Sequence, residues 1–355
     1  MKHQGDSIRT ILVTGGGGFL GKAIVRLLIE RGDRVISFSR DHYSELEALG
    51  VKQVRGDISN PAAVENAVKG VDTVYHLAAK AGVWGDYNDY YRINTEGTRH
   101  VIAACESCGV SRLIYTSSPS VVFDGGDMKG VDETVPYPGS YHAAYPETKA
   151  LGEQAVRQAG GRSQMATGRW QGAEKRWQGT WDGLKTIILR PHLIWGPGDN
   201  HLVPRILTRA KRLRRIGDGK NRVDVTYIVN AAKAHLLAEE ALIRQPELSG
   251  NVYFISQGKP VSLWKMIDDI LQAGGLSPVN RSISPEAAFR IGAVLEWFYK
   301  AFALKGEPQM TRFVARELST SHWFDISAAK RDIGYVPEIS TEEGLRHLAA
   351  YLKAR

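Results

Sequence analysis

Residues 9–21 read Arg-Thr-Ile-Leu-Val-Thr-Gly-Gly-Gly-Gly-Phe-Leu-Gly, and few folds accommodate such a run. Ile11, Leu12 and Val13 are a short apolar stretch, the pattern of a strand buried on both faces. Four glycines follow at once, and then Phe19, Leu20, Ile24, Leu27 and Leu28 recur with helical period. A strand that turns through glycines into a helix aims unpaired backbone N–H groups and the positive end of the helix dipole at one spot, which suits a pyrophosphate. The spacing Gly15-x-x-Gly18-x-x-Gly21 differs by one residue from the common G-x-G-x-x-G, so the nucleotide reading needs a second, independent signal.

Downstream, residues 34–39, 51–55, 73–77 and 112–117 read as further strands, with a long helix over about 88–107. A helix at 141–158 and a strand at 186–190 continue the alternation. Strands and helices alternating at this interval predict a parallel, doubly wound sheet with right-handed crossovers. The second half is less regular, with helices near 203–214 and 230–242 and strands near 223–228 and 251–255. The expected architecture is therefore α/β: a Rossmann-type doubly wound parallel sheet with a smaller C-terminal substrate-binding lobe. Residues 1–190 would form the dinucleotide-binding domain and 191–355 mostly the lobe, with some segments returning to the main sheet. Residues 160–182, which carry Trp170, Trp177 and Trp181, show neither period. They read as a mobile insertion with no assigned role.

The second signal is Tyr145-Pro146-Glu147-Thr148-Lys149. On a helix, positions four apart share a face, so the Tyr145 phenol and the Lys149 ammonium project to the same side. A phenol titrates near 10, too high for proton transfer at neutral pH, and a cation held beside it favours the phenolate. The 112–117 strand ends in Ser117-Ser118-Pro119-Ser120, at the sheet edge where ligands sit. A hydroxyl there can bond the same substrate oxygen that Tyr145 protonates.

The combination of residues 14–21, His76-Leu77-Ala78-Ala79, Ser118 and Tyr145-x-x-x-Lys149 resembles the extended short-chain dehydrogenase/reductases. Arg190-Pro191-His192-Leu193-Ile194-Trp195-Gly196-Pro197-Gly198 and Asp332-Ile333-Gly334-Tyr335-Val336-Pro337 fit the same family. The resemblance implies Tyr145 as general acid/base, Lys149 as ribose contact and depressor of the Tyr145 pKa, and Ser118 as donor to the substrate oxygen. It implies cofactor contacts from Gly15, Gly18, Phe19, Leu20, Gly21, Ser39 and Arg40. It further implies Asp57 and Ile58 beside the adenine, Ala78, Ala79, Lys80 and Asn94 along the cofactor channel, and Pro191 and Ile194 beside the nicotinamide. Trp84, Ser120 and His192 are candidate substrate contacts, and His192 has an equally good reading as a structural histidine. No metal site is expected.

An NAD enzyme places an acidic residue after the second strand to accept from the ribose 2′-OH. Ser39-Arg40 stands there instead, and a guanidinium pairs bidentately with a 2′-phosphate. The expectation is NADP(H), with NAD(H) the alternative if Arg40 only stacks on the adenine. Pro119-Ser120 after Ser118 differs from the Asp-Glu pair of sugar-nucleotide dehydratases. Arg190-Pro191-His192-Leu193 differs from the Arg-Tyr-Phe-Asn of the epimerases. Residues 79–85, 117–121, 195–200, 230–235 and 322–324 resemble the 3β-hydroxysteroid dehydrogenase branch. Within it they are most similar to bacterial reductases of 2-alkyl-3-oxoalkanoates in olefin biosynthesis. The branch implies an oxidoreductase that interconverts a ketone and a secondary alcohol on a large apolar β-keto or β-hydroxy acid. A 3β-hydroxysteroid or sterol-4-carboxylate dehydrogenase is the alternative. A non-catalytic, cofactor-sensing regulator is a further one, and it has no use for Ser118, Tyr145 and Lys149 together. Phe123-Asp124-Gly125 departs from the Tyr-Gly of many relatives, which bears on the pocket wall after Ser118.

The chain of 355 residues has formal net charge +8, yet its basic clusters carry no nucleic-acid motif. Residues 285–304 are apolar apart from Glu286, Arg290, Glu296 and Lys300, too short and too charged to span a bilayer. They could cap an acyl-chain pocket, lie at a membrane interface or pack as core. Cys105 and Cys108 lack a second ligand pair, so they read as small helical residues in a reducing cytoplasm. No signal-peptide core precedes the first strand, and a cytoplasmic protein is expected. The partners expected are a long-chain or sterol-like small molecule, a second copy of the chain in a homodimer and, peripherally, a membrane.

Overall fold

The computed structural model describes residues 8–161 and 183–354. Its centre is a sheet of seven parallel strands: β1 (Thr10–Thr14), β2 (Arg34–Ser39), β3 (Lys52–Arg55), β4 (Thr73–His76), β5 (Arg112–Thr116), β6 (Lys185–Pro191) and β7 (Asn251–Ile255). Their spatial order is β7-β6-β5-β4-β1-β2-β3. The direction of winding reverses between β1 and β4, which opens a crevice at the carboxyl ends of those strands. The fold is the Rossmann-like, doubly wound α/β architecture that the alternating pattern predicts.

Helices cover both faces. Ile24, Val25 and Leu28 of α1 (Phe19–Arg31) join one apolar cluster. Val101 and Cys105 of α2 (Gly97–Ser107) and Val156 of α3 (Ala144–Ala159) join the other. Pro146 fits α3 because it falls in the first turn, where its missing N–H has no intrahelical partner to lose. Helix α4 (Ile228–Arg244) packs against α1, so β7 and α4 from the second half complete the nucleotide-binding layer. A four-stranded sheet ordered Val261–Ser262, Arg222–Val223, His322–Phe324 and Met128–Val131 belongs to the lobe. The lobe thus borrows Met128–Val131 from the first half of the chain, which a boundary at residue 190 does not anticipate. Most of the segment expected to be an insertion, residues 162–182, lies outside the described residues. Both cysteines are free. Among the described residues no helix is long and apolar enough to cross a membrane.

The expected helix at 88–107 is three pieces: Tyr87–Tyr90, a π-helical turn at Tyr91–Glu96, and α2. The wider turn carries Asn94 to the backbone of Lys80, whose N–H donates to Oδ1 at 2.7 Å and whose carbonyl accepts from Nδ2 at 3.0 Å.

A chain of hydrogen bonds ties these parts together. Thr14 Oγ1 accepts from the N–H groups of Leu77 and Ala78, each at 3.1 Å. Its own proton therefore goes to His76 Nδ1, 2.8 Å away. His76 is then the Nε2–H tautomer and donates to Thr98 Oγ1 at 3.0 Å, and Thr98 donates to the Asn94 carbonyl at 2.7 Å. Burial holds the imidazole neutral, with its pKa pushed down to about 3. Thr14→Val keeps the shape but strips the hydroxyl from three partners, and should cost roughly 2–3 kcal/mol. Thr14→Ser should cost under about 1 kcal/mol, and urea unfolding of the two variants checks both.

Candidate active site

The crevice holds a cavity of about 590 Å³. Gly15 and Gly18 line it from the turn after β1, with Ser39 and Arg40 after β2. Asp57 and Ile58 contribute after β3, and Ala78, Ala79 and Lys80 after β4. Nine expected cofactor contacts, from four loops, thus share one wall-to-wall space.

Gly15 has φ +71°, and a Cβ there would lie 3.2 Å from the Ala78 backbone. A Cβ on Gly21 would lie 2.2 Å from the Gly15 carbonyl oxygen, so α1 can start hard against the loop only with glycine there. The helix has Gly18 at its N-cap, no capping side chain and no acid in its first turn. Its free N–H groups and dipole fit a pyrophosphate. Phe19, Leu20 and Gly21 can serve only through their backbone. The Phe19 side chain lines a separate groove with Lys22 and Tyr227, and Leu20 packs on the core.

Beside the β2 end, the Asp57 carboxylate accepts from Ser59 N at 2.8 Å and Ser59 Oγ at 2.7 Å. The Ser59 backbone bond chiefly holds its pKa below the usual range, helped by the Arg92 and Arg40 guanidiniums. Arg92 lines the same cavity and donates to Ser59 Oγ at 2.8 Å. Sequence reasoning misses Arg92, because only the π-helical turn decides which way that part of the chain faces.

Three expected contacts sit differently. Asn94 is buried, with its amide spent on Lys80 and on Thr148 Oγ1 at 3.1 Å, so it braces the cavity wall and does not line it. Pro191, at the end of β6, pairs with Ile255, and Ile194 pairs with Thr226. Both lie outside the 590 Å³ space.

Ser118 caps the turn Pro119–Val122, accepting from Ser120 N at 3.2 Å, and its Oγ lies 2.9 Å from Ser120 Oγ. Ser120 therefore steadies Ser118. The Tyr145 phenol and Ser118 are near enough to influence one another electrostatically. Burial pushes that phenol up to about 12, against the pull of Ser118, with Glu317 adding to the rise. The expected depression by Lys149 is absent from this arrangement. The Lys149 ammonium donates instead to Tyr115 Oη and to the Thr116 carbonyl, each at 2.7 Å, and burial lowers it to about 7. Sharing a helix face brings Lys149 to the right side, but β5 takes two of its three proton donors.

His192 is buried, with Nδ1 donating to the Asp224 carbonyl at 2.8 Å, and burial lowers its pKa to about 4. It is a neutral imidazole packed edge-on to His322 and Phe324 at 6.0 and 5.3 Å. Trp84 packs edge-on to Tyr299 at 6.2 Å, which places it on the lobe.

The 3-beta hydroxysteroid dehydrogenase/isomerase family matches residues 12–284, from β1 into the lobe. The chain belongs to that family. It is 48% identical over 345 residues to a 2-alkyl-3-oxoalkanoate reductase of Stenotrophomonas maltophilia, covering 96% of this chain and 98% of the relative. A 3beta-hydroxysteroid-dehydrogenase/decarboxylase of Arabidopsis thaliana is 33% identical, over 99% of this chain and 82% of that one. The fold matches MoeE5, solved in complex with UDP-glucuronic acid and NAD, at TM-score 0.70 and 23% identity over 97% of this chain and 99% of that one.

Within this hydroxysteroid dehydrogenase frame Glu317 is the residue that sequence reasoning misses most completely. It lies on α5 (Arg312–Ser319), one turn beyond Phe313, whose ring meets Phe123 edge-on at 6.1 Å. Phe123 directly follows the turn capped by Ser118. Glu317 acts electrostatically on Tyr145, and among the described residues its carboxyl has no hydrogen-bond or ion-pair partner. Burial pushes it up to about 7. Below that pH it is neutral; above it, its charge opposes formation of the tyrosinate. Ketone reduction should therefore slow as pH rises through 7, and Glu317→Gln should make that fall shallower, leaving the Lys149 ionisation. A pH profile of kcat/KM checks this, and coincident profiles would remove Glu317 from the site.

Proposed function

We propose that this protein is an NADP(H)-dependent reductase that converts a 2-alkyl-3-oxoalkanoate into the 2-alkyl-3-hydroxyalkanoate. The observation that carries the reading is the Ser118–Tyr145 pair of neighbouring hydroxyls, together with a cavity lined by the glycine loop, in a chain 48% identical to a reductase of that name. A bound reduced nicotinamide supplies the hydride. Ser118 Oγ and Tyr145 Oη are two donors converging on one oxygen, so Ser118 holds the ketone oxygen while Tyr145 gives it a proton. A phenol at about 12 stays protonated at neutral pH, which is the form the reductive direction requires. Glycines 15, 18 and 21 and the start of α1 would take the pyrophosphate, and Lys149 would bond the ribose.

Arg40 and Arg92 support NADP(H) over NAD(H). Both guanidiniums border the cavity near Asp57, where a 2′-phosphate would sit. The oxidation of a 3β-hydroxysterol is the second reading, favoured by the 33% identical hydroxysteroid dehydrogenase/decarboxylase.

NADPH and NADH oxidation, followed with a long-chain 2-alkyl-3-oxoalkanoate, tests the proposal. Faster NADPH consumption is expected; silence with that acid, together with NAD reduction by a 3β-hydroxysterol, would overturn it. Arg40→Ala should weaken kcat/KM for NADPH by about 10–100-fold and change NADH little. Tyr145→Phe should bind NADPH normally and turn over at least ~100-fold more slowly. Full activity in that variant would sink the mechanism.

A further inference from the structure

Gly17 is not one of the spaced glycines Gly15, Gly18 and Gly21, yet no other residue fits its place. A Cβ there would collide with Cδ2, Cε2 and Cζ of Tyr43, so that ring rests directly on the turn after β1. Its seat is rigid. Tyr43 N donates to Gln53 Oε1 at 2.9 Å, and Gln53 Nε2 donates to the Tyr43 carbonyl at 3.0 Å, which straps the residue to β3. Tyr43 is also the N-cap residue of the short helix Ser44–Ala48, whose Glu45 pairs with Lys22 of α1 at 2.8 Å. Tyr43 lines the 590 Å³ cavity beside Gly15, Gly18 and Ser39. Among the described residues its hydroxyl has no hydrogen-bond partner.

The turn itself has spent several of its donors. The Gly15 N–H donates to the Phe38 carbonyl at 2.8 Å, and the Gly18 N–H turns back to the Gly15 carbonyl at 2.9 Å. Lys22, the first cation of α1, is held by Glu45 and lines the separate groove. A diphosphate carries two charges, and side-chain donors at the rim of the turn add charge-assisted bonds to it. Besides Tyr43, the lobe brings one such donor. Asn200 lines the same cavity, and it also lines the groove of Phe19 and Lys22, so it stands where the two spaces meet at the turn. Its neighbour Asp199 accepts from the N–H groups of His201, Leu202 and Val203 at 2.7, 3.2 and 2.8 Å, at the start of the helix Leu202–Arg209. Those bonds fix the backbone on either side of Asn200. Among the described residues the Asn200 amide has no hydrogen-bond partner.

We propose that Tyr43, from the nucleotide-binding layer, and Asn200, from the lobe, donate side-chain hydrogen bonds to the diphosphate of the bound dinucleotide. The inference rests on the reading of the cavity as a dinucleotide site, and not on which dinucleotide or ketone it takes. Dissociation constants of NADPH and NADH, measured by calorimetry on the full chain, test it without turnover. Tyr43→Phe keeps the ring on Gly17 and removes only the donor, and Asn200→Ala removes the amide. Each should raise both dissociation constants about 5–50-fold, and by the same factor for the two dinucleotides, which share the diphosphate. ADP-ribose should lose affinity by that factor too, whereas adenosine, which has no phosphate, should lose none. Both side chains reach solvent, and an unchanged thermal midpoint without cofactor shows that the variants fold. Affinity within about twofold of the parent in either variant would overturn the inference. A loss confined to NADPH would also overturn it, by assigning these side chains to the 2′-phosphate. A parent chain that binds neither dinucleotide would overturn the reading of the cavity and the inference with it.

Discussion

The hydroxyl of Thr14 is the point on which the site depends. It sits at the end of β1, where the strand gives way to glycines, and it gathers the N–H groups of Leu77 and Ala78. Its proton passes the connection through His76 and Thr98 to the π-helical turn. Two loops that must face each other across a nucleotide, after β1 and after β4, are thereby held by one oxygen. The arrangement requires a neutral imidazole, and burial supplies it. The same turn presents Asn94 to Lys80 and Arg92 to the cavity, so the glycine loop, the cavity wall and Arg92 form one connected unit.

A second constraint governs the chemistry. Lys149 is buried and Tyr145 and Glu317 are partly so, and each is displaced toward its neutral form: the phenol up to about 12, the ammonium down to about 7, the carboxyl up to about 7. The phenol is thereby held protonated at neutral pH, while the ammonium and the carboxyl are poised to titrate near it. Arg190 plays no part in this despite opening a family motif. It is consumed by Glu153 at 3.0 and 2.5 Å, a buried pair that locks α3 onto β6 and so fixes the helix that carries Tyr145.

The lobe and the nucleotide-binding layer are not consecutive pieces of chain. β7 and α4 return to the main sheet, while Met128–Val131 leaves it for the lobe. Ser118 lies on the route between them: its turn leads through Phe123 to the strand that pairs with His322–Phe324. The lobe's position relative to Ser118 is therefore set by covalent continuity as well as by packing.

Much of this was legible from residues in order. The buried run at Ile11–Leu12–Val13, the glycines after it and the period of α1 are local signals, and local backbone preferences are enough to place a strand, a turn and a helix. The strand alternation implied the parallel sheet, and with it the edge to which Ser39, Arg40, Asp57 and Ala78 would be brought. Tyr145 and Lys149 were bound to share a face because helical geometry allows nothing else. What Lys149 would bond, that Asn94 would turn away from the cavity, that Arg92 would face it and that Glu317 would act on Tyr145 were decided by the tertiary structure. These outcomes depend on which distant backbone or side-chain group comes within about 3 Å of a given donor, and on how much water is left around it. The exposure of Trp297 and Phe298 on the helix Pro285–Ala301, and of Phe302 just beyond it, is of the same kind. An apolar helix is equally compatible with core, lid or surface, and only its seat against Thr311 and Arg312 showed which side faced outward.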